Sequence, residues 1–240
     1  MNNIITEDAA ARKIYDDLWR ACAAAFAQGN AQIDPHLRDR AHDRRRGWTL
    51  IMRPDAPTRR RLCDFIAQMR DLEPEQHFYH SDELHVTVLS LISASESFHA
   101  DGHMEKLPRY RAALAAAFAG MTGFGVEFRG VTGSPGAIMA QGFPEQDALN
   151  RLRDYLRVSL GAAGLGATLD ARYRIVTAHA TIMRVQSPLR NPAALLNLLE
   201  QARRIPFGRS VCVAAQWVEN DWYMSRDAVQ LIEEYHLRTA

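Results

Sequence analysis

The sequence predicts an α+β fold built from two roughly similar halves. Three observations point there. The pattern His-x-Thr-aliphatic occurs twice, as His85-Val86-Thr87-Val88 and as His179-Ala180-Thr181-Ile182, about a hundred residues apart. Each copy lies in an apolar run that reads as a buried strand, Leu84 to Ile92 and Tyr173 to Val185. Helical periodicity flanks both runs, so each half sets one motif strand beside a helix. No repeat extends beyond the motif and its strand, so the duplication is structural.

The elements follow in chain order. Asp8 to Gln28 carries Ile14, Leu18, Cys22 and Phe26 at helical spacing, and Gly29-Asn30 supplies a stop signal. Arg38 to Arg46 holds five arginines (Arg38, Arg40, Arg44, Arg45 and Arg46) mixed with Asp39 and Asp43. A solvated turn or helix end is favoured there over a phosphate clamp. Trp48 to Met52 reads as a short strand. Asp55 to Met69 reads as a helix with Leu62, Phe65, Ile66 and Met69 as its buried stripe. Gln76 to Ser81 reads as a loop, and Leu107 to Phe118 as an Ala-rich helix closed by Gly120. Phe124 to Thr132 and Ala137 to Phe143 read as a hairpin about the turn Gly133-Ser134-Pro135-Gly136. The helix after Pro144 has Leu149, Leu152, Leu156 and Leu160 in its core stripe. A flexible link, Gly161 to Gly166, leads to the second motif strand, followed by a helix from Pro192 to Arg203. Arg209 to Val218 reads as one strand, and Ala228 to Tyr235 as a strand or short helix. With no low-complexity segment and no long linker, separately moving domains are not expected.

Composition narrows the function classes. Hydrophobic content of 47% and charged content of 24% over 240 residues is an ordinary globular profile. A net charge of +1 gives no global field to recruit a polyanion, so affinity for a nucleic-acid end would come from a local pocket. The three cysteines, Cys22, Cys63 and Cys212, are scattered, which indicates neither a disulfide framework nor a thiolate zinc site and suits a reducing compartment. No apolar stretch approaches the ~18 residues of a membrane span. Met1 to Asp8 lacks the basic-then-apolar profile of a secretory signal. A cytoplasmic protein is expected. Nothing reads as a coiled coil, so no obligate protein partner is evident.

A strand sends residues i and i+2 to one face, so each motif shows an imidazole beside a hydroxyl. Two such pairs facing each other suit phosphodiester cleavage. One imidazole begins neutral as base and its twin begins protonated as acid. The hydroxyls donate to the non-bridging oxygens and hold phosphorus in line. The scheme requires no metal and no cofactor, and no H-E-x-x-H or Cys/His ligand set is present in the sequence.

On these two motifs, His85-Val-Thr87-Val and His179-Ala-Thr181-Ile, the chain resembles the 2H phosphoesterase superfamily, which includes the 2′-5′ RNA ligase-like proteins and cyclic phosphodiesterases. The resemblance spans about Trp48 to Leu237. It implies a bilobal, duplicated fold with two antiparallel sheets lining a central cleft and helices outside. It sets residues 1–47 apart as a helical extension to a body of residues 48–240. It implies His85 and His179 as the catalytic acid/base pair and Thr87 and Thr181 as phosphate ligands. The implied substrate is a 2′,3′-cyclic or 2′-5′ phosphodiester in a nucleotide or RNA end. The alternative is a nucleotide- or RNA-binding module of the same fold with little turnover. The run to Arg184 also resembles the family, but strand parity puts Arg184 opposite His179 and Thr181 unless a bulge intervenes, which favours a structural role. Tyr79, Tyr173 and Trp222 are further candidates for contacting substrate, each weighed against ordinary packing.

Overall fold

Each motif enters its own antiparallel sheet. The computed structural model describes residues 2–238. The elements are α1 (Asn2–Ala27), β1 (Arg46–Met52), α2 (Ala56–Leu72), β2 (His77–Phe78), β3 (Val86–Ser95), α3 (Leu107–Phe118), β4 (Phe124–Ser134), β5 (Ala137–Pro144), α4 (Ala148–Ala162), β6 (Ala180–Arg184), α5 (Pro192–Gln201), β7 (Pro206–Cys212), β8 (Ala214–Asn220) and β9 (Gln230–His236). The first sheet has strand order β3-β1-β8-β9, the second β2-β6-β5-β4-β7. This is the two-sheet α+β architecture expected.

The helices tie the lobes together. Asp55 caps α2, accepting the Thr58 N–H at 2.8 Å, and Pro57 suits its first turn. Although α2 follows a strand of the first sheet, it packs on β7 of the second. Conversely, α4 follows a strand of the second sheet and packs on α3 and β3. Helix α1 lies against β4 and α5, where Tyr15, Cys22 and Phe26 are fully buried.

Three sequence expectations change. Gln76 to Ser81 contains a short edge strand, β2, paired to β6 through His77–Arg184 and Phe78–Met183. The second motif strand is shorter than its apolar run: residues 173–179 are irregular and β6 starts at Ala180. Arg209 to Val218 is two strands. The chain leaves the second sheet after Cys212 and enters the first at Ala214, so Val213 is a crossing point between lobes. No glycine or proline marks that crossing, because an extended chain can change sheets without a turn. Ala228 to Tyr235 resolves to strand β9.

In the first lobe, the Trp48 ring meets Phe98, Tyr110 and Trp217 edge-on, at centroid distances of 5.6, 5.6 and 5.1 Å. Such pairs add to the area that each ring buries. Trp48→Ala is expected to cost about 3–5 kcal/mol, read as a lower midpoint in denaturant at an unchanged slope.

Candidate active site

His85 sits immediately before β3, at the end of a turn organised by Glu83. The buried Glu83 carboxylate accepts the backbone N–H groups of His80 (2.8 Å) and Arg226 (3.1 Å). Its main-chain carbonyl lies 2.7 Å from His85 Nδ1. A carbonyl only accepts, so Nδ1 carries the proton and Nε2 is the free nitrogen. His179 holds the equivalent place before β6, with Nδ1 2.8 Å from the Thr177 hydroxyl.

Two residues brace these approaches from behind. Arg153 on α4 is fully buried. Its guanidinium donates to the carbonyls of Val88 (2.9 Å), Thr87 (2.6 Å) and Thr177 (3.0 Å), and to Asn150 Oδ1 (2.8 Å). One side chain therefore holds both motif segments. Burial pulls its pKa down to about 10, which leaves it charged at neutral pH. Tyr15 on α1 serves the second motif alone. Its hydroxyl donates to Gly142 O (3.0 Å), accepts from Gly142 N (3.3 Å), and lies against the Ala178 N–H and the Thr177 hydroxyl. A Cβ on Gly142 would come 2.0 Å from Ala178 O, so only glycine permits this approach.

The sheets face each other across a cleft of about 290 Å³. It is lined by His85, Thr87, His179 and Thr181, and also by Tyr79, Tyr173, Arg184 and Trp222. The structure thus brings every sequence-nominated residue to one cavity. Arg184 reaches it through the bulge that parity required. Opposite β5, Met139 pairs with Thr181 but Ile138 pairs with Met183, so Ile182 is the extra residue. The slip turns Arg184 to the face of Thr181. Arg184 Nε donates to Tyr79 Oη at 2.9 Å, and the guanidinium lies 5.7 Å from the centre of the Tyr223 ring.

The arginine run is not merely a solvated turn. Arg45, its side chain 15% exposed, grips the Asp43 carboxylate at 2.9 and 2.7 Å and lies over Trp222 (4.8 Å) and Tyr223 (5.8 Å). Arg40 donates to Ser225 Oγ at 2.5 Å. The run buttresses the aromatic wall of the cleft. Sequence reasoning missed Arg153, Tyr15 and this buttress. The only signal for Arg153 was its helical spacing from Leu149, which puts it on the buried face of α4.

Both imidazoles are held neutral. Burial pushes His85 down to about 4, opposed by the Glu83 carbonyl and aided by Arg53 and Arg184. Burial likewise pushes His179 to about 4, followed by the charges of Arg153, His85 and Arg184. His77, beside Tyr79, is lowered to about 4 by burial and then by Arg40 and Arg184. Among the described residues, no group of three His, Cys, Asp or Glu side chains is placed to hold a metal ion. Among the same residues, no helix is long and apolar enough to cross a membrane.

Solved structures share this architecture. The Thermus thermophilus protein TT0787 superposes with a TM-score of 0.61 at 17% identity, covering 80% of this chain and 98% of its own. Escherichia coli LigT complexed with 3′-AMP gives 0.53 at 13% identity with the same coverages. The fold is LigT-like. A conserved protein of unknown function from Agrobacterium tumefaciens, ATU0111, gives 0.52 at 17% identity, covering 84% of this chain and 94% of its own. No family model and no curated protein matches the sequence. At these identities the likeness is one of fold.

The depressed histidines also contribute to the pH dependence of stability. Unfolded, each titrates near 6.5; folded, His77, His85 and His179 titrate near 4. Below 6.5 the unfolded chain binds protons that the folded chain refuses. Stability from these groups is therefore full above 6.5 and is lost as pH falls towards 4. The melting temperature is expected to drop steadily over that window, and less steeply in His77→Gln.

Proposed function

We propose that the protein is a metal-independent phosphodiesterase acting on a 2′,3′-cyclic or 2′-5′ phosphodiester in a nucleotide or RNA end. One observation carries this reading. Two imidazoles line one cleft with their Nδ1 atoms engaged and their Nε2 atoms left over, and Thr87, Thr181 and Arg184 line the same cleft. The cleft volume lies at the low end for small-molecule pockets, which suits a nucleotide or strand end better than a duplex. E. coli LigT, a neighbour in fold, has been crystallised with 3′-AMP and with ATP, which supports a nucleotide as ligand.

In this mechanism the phosphate anion seats between Thr87 and Thr181 with Arg184 balancing its charge. The anion raises the pKa of both imidazoles, so one takes up a proton on binding. The neutral histidine removes a proton from water as oxygen attacks phosphorus. The protonated one gives its proton to the departing ribose oxygen as the P–O bond breaks. The Nδ1 partners favour an order. Burial and arginine charges oppose an imidazolium at both, with Arg53 and Arg184 acting on His85 and Arg153 and Arg184 on His179. Only His85 has a main-chain carbonyl at Nδ1 to offset them; the partner at His179 is the Thr177 hydroxyl. His85 is assigned as acid and His179 as base.

The lowered pKa of both imidazoles also favours a second reading, a nucleotide- or RNA-binding module with little turnover. Tight binding of a nucleoside monophosphate without cleavage of any cyclic or 2′-5′ substrate would select it.

The assay is hydrolysis of 2′,3′-cyclic nucleotides by purified protein in EDTA. His85→Ala and His179→Ala, each folded by circular dichroism, are expected to lose about 10²–10⁴-fold in kcat. Full activity in either variant would remove that histidine from the chemistry. Tyr15→Phe is expected to lower kcat about ten-fold with KM held, because Thr177 loses the partner that orients it towards His179. It is also expected to move the limb of the pH–rate profile belonging to His179, which a general loss of stability would not do.

A further inference from the structure

We infer that the cleft holds a second phosphoryl group at Arg172, so that its preferred substrate carries one phosphate at the histidines and another on the ribose 5′ oxygen. The inference rests on the phosphodiesterase reading of the same cleft. It starts from the charges of the lining. The chain as a whole is nearly neutral, yet the cleft lining includes two guanidiniums, Arg172 and Arg184, and one carboxylate, Asp170. That carboxylate is paired through one oxygen: Arg157 Nε holds Oδ2 at 2.6 Å, with both side chains largely buried, while Oδ1 is buried without a hydrogen-bond partner. Among the described residues no carboxylate lies within ion-pair distance of Arg172 or Arg184, although the charge of Asp34 acts on Arg184 from farther off. A lone phosphodiester is a monoanion and matches one of these cations. The second guanidinium calls for a second anion.

The site around Arg172 is built rather than incidental. Its guanidinium lies 3.7 Å from the centre of the Trp222 ring. Stacking occupies a face of the guanidinium and leaves the in-plane N–H donors free to take two phosphate oxygens. Trp222 in turn is covered by Arg45, whose own charge is satisfied by Asp43 and cannot serve the ligand. The Asp221 carboxylate shapes the loop, accepting the N–H groups of Tyr223 (3.2 Å) and Ser225 (2.8 Å). Consecutive residues of this loop, Trp222 and Tyr223, thus carry the two guanidiniums along one wall. Arg172 is an exposed residue of the cleft wall; partial burial and then the nearby charge of Arg45 lower its pKa, a cost that a bound anion relieves.

A 5′ phosphate reaches such a cleft from two sources, a free nucleotide phosphorylated at 5′ or the preceding linkage of an RNA strand. Both present the same oxygens to Arg172. The test measures binding first, because binding does not depend on turnover. Adenosine 3′,5′-bisphosphate is expected to bind the full chain about ten-fold tighter than 3′-AMP by calorimetry, and the ratio is expected to fall to about one in Arg172→Gln. Kinetics then compares 2′,3′-cyclic AMP, its 5′-phosphorylated form, and a dinucleotide ending in a 2′,3′-cyclic phosphate. A higher kcat/KM for either of the last two supports the second phosphate, and the better of them names its source. Equal binding of the bisphosphate and 3′-AMP by the wild type, or a preference that persists in Arg172→Gln, overturns the inference. Preferential bisphosphate binding with no cleavage of any cyclic substrate defeats the phosphodiesterase reading and leaves the two-phosphate site standing.

Discussion

The buried guanidinium of Arg153 is the interaction on which the cleft depends. It is fully buried, and the acceptors around it are neutral: three main-chain carbonyls and one side-chain amide. A cation taken out of water must be saturated with hydrogen bonds. Here that requirement pulls Thr87 and Val88 of one lobe and Thr177 of the other onto a single planar group. The motif segments are held in mutual register by a helix that belongs to neither. The charge itself is not cancelled by these dipoles, and it reaches His179, where it opposes protonation.

The rest of the cleft follows from the same balance between burial and charge. Partial burial in the cleft lowers the pKa of both imidazoles, so the cleft sets cations beside uncharged histidines. In the proposed reaction an arriving phosphate would supply the missing negative charge and with it the reason to bind a proton. The surrounding wall is assembled from distant parts of the chain: Arg40 and Arg45, Arg172, and the Asp221 to Ser225 loop. Segments ahead of β1 therefore reach the site indirectly. Arg45 braces the aromatic wall and Tyr15 braces the approach to His179, although neither lines the cavity.

Much of this was legible in one dimension. The hairpin of β4 and β5, helix α3 and the leucine stripe of α4 follow from local periodicity, and their bounds fall within a few residues of expectation. The His-x-Thr pairs were legible because i and i+2 share a strand face whatever the tertiary context. Arg184 was readable only conditionally. Its face depends on an extra residue at Ile182, and a bulge there leaves no compositional mark because Ile182 is itself an ordinary strand residue. The run from Tyr173 to His179 looked like strand because it is apolar in part, yet it is held by side chains, not by a ladder. The break at Val213 was hidden for the opposite reason, since both flanking segments are genuine strands.

By itself the sequence determined the fold class, the two motifs and the chemistry that paired imidazoles and hydroxyls can do, because those are consequences of side-chain periodicity and functional-group type. The tertiary structure alone decided that the two motifs share one cleft, that Arg153 and Tyr15 stand behind them, and that Arg184 faces the same side as Thr181. It also decided that both imidazoles lie near pKa 4. Those outcomes depend on burial and on contacts between residues as far apart as Tyr15 and Gly142, or Arg153 and Val88, which no local pattern encodes.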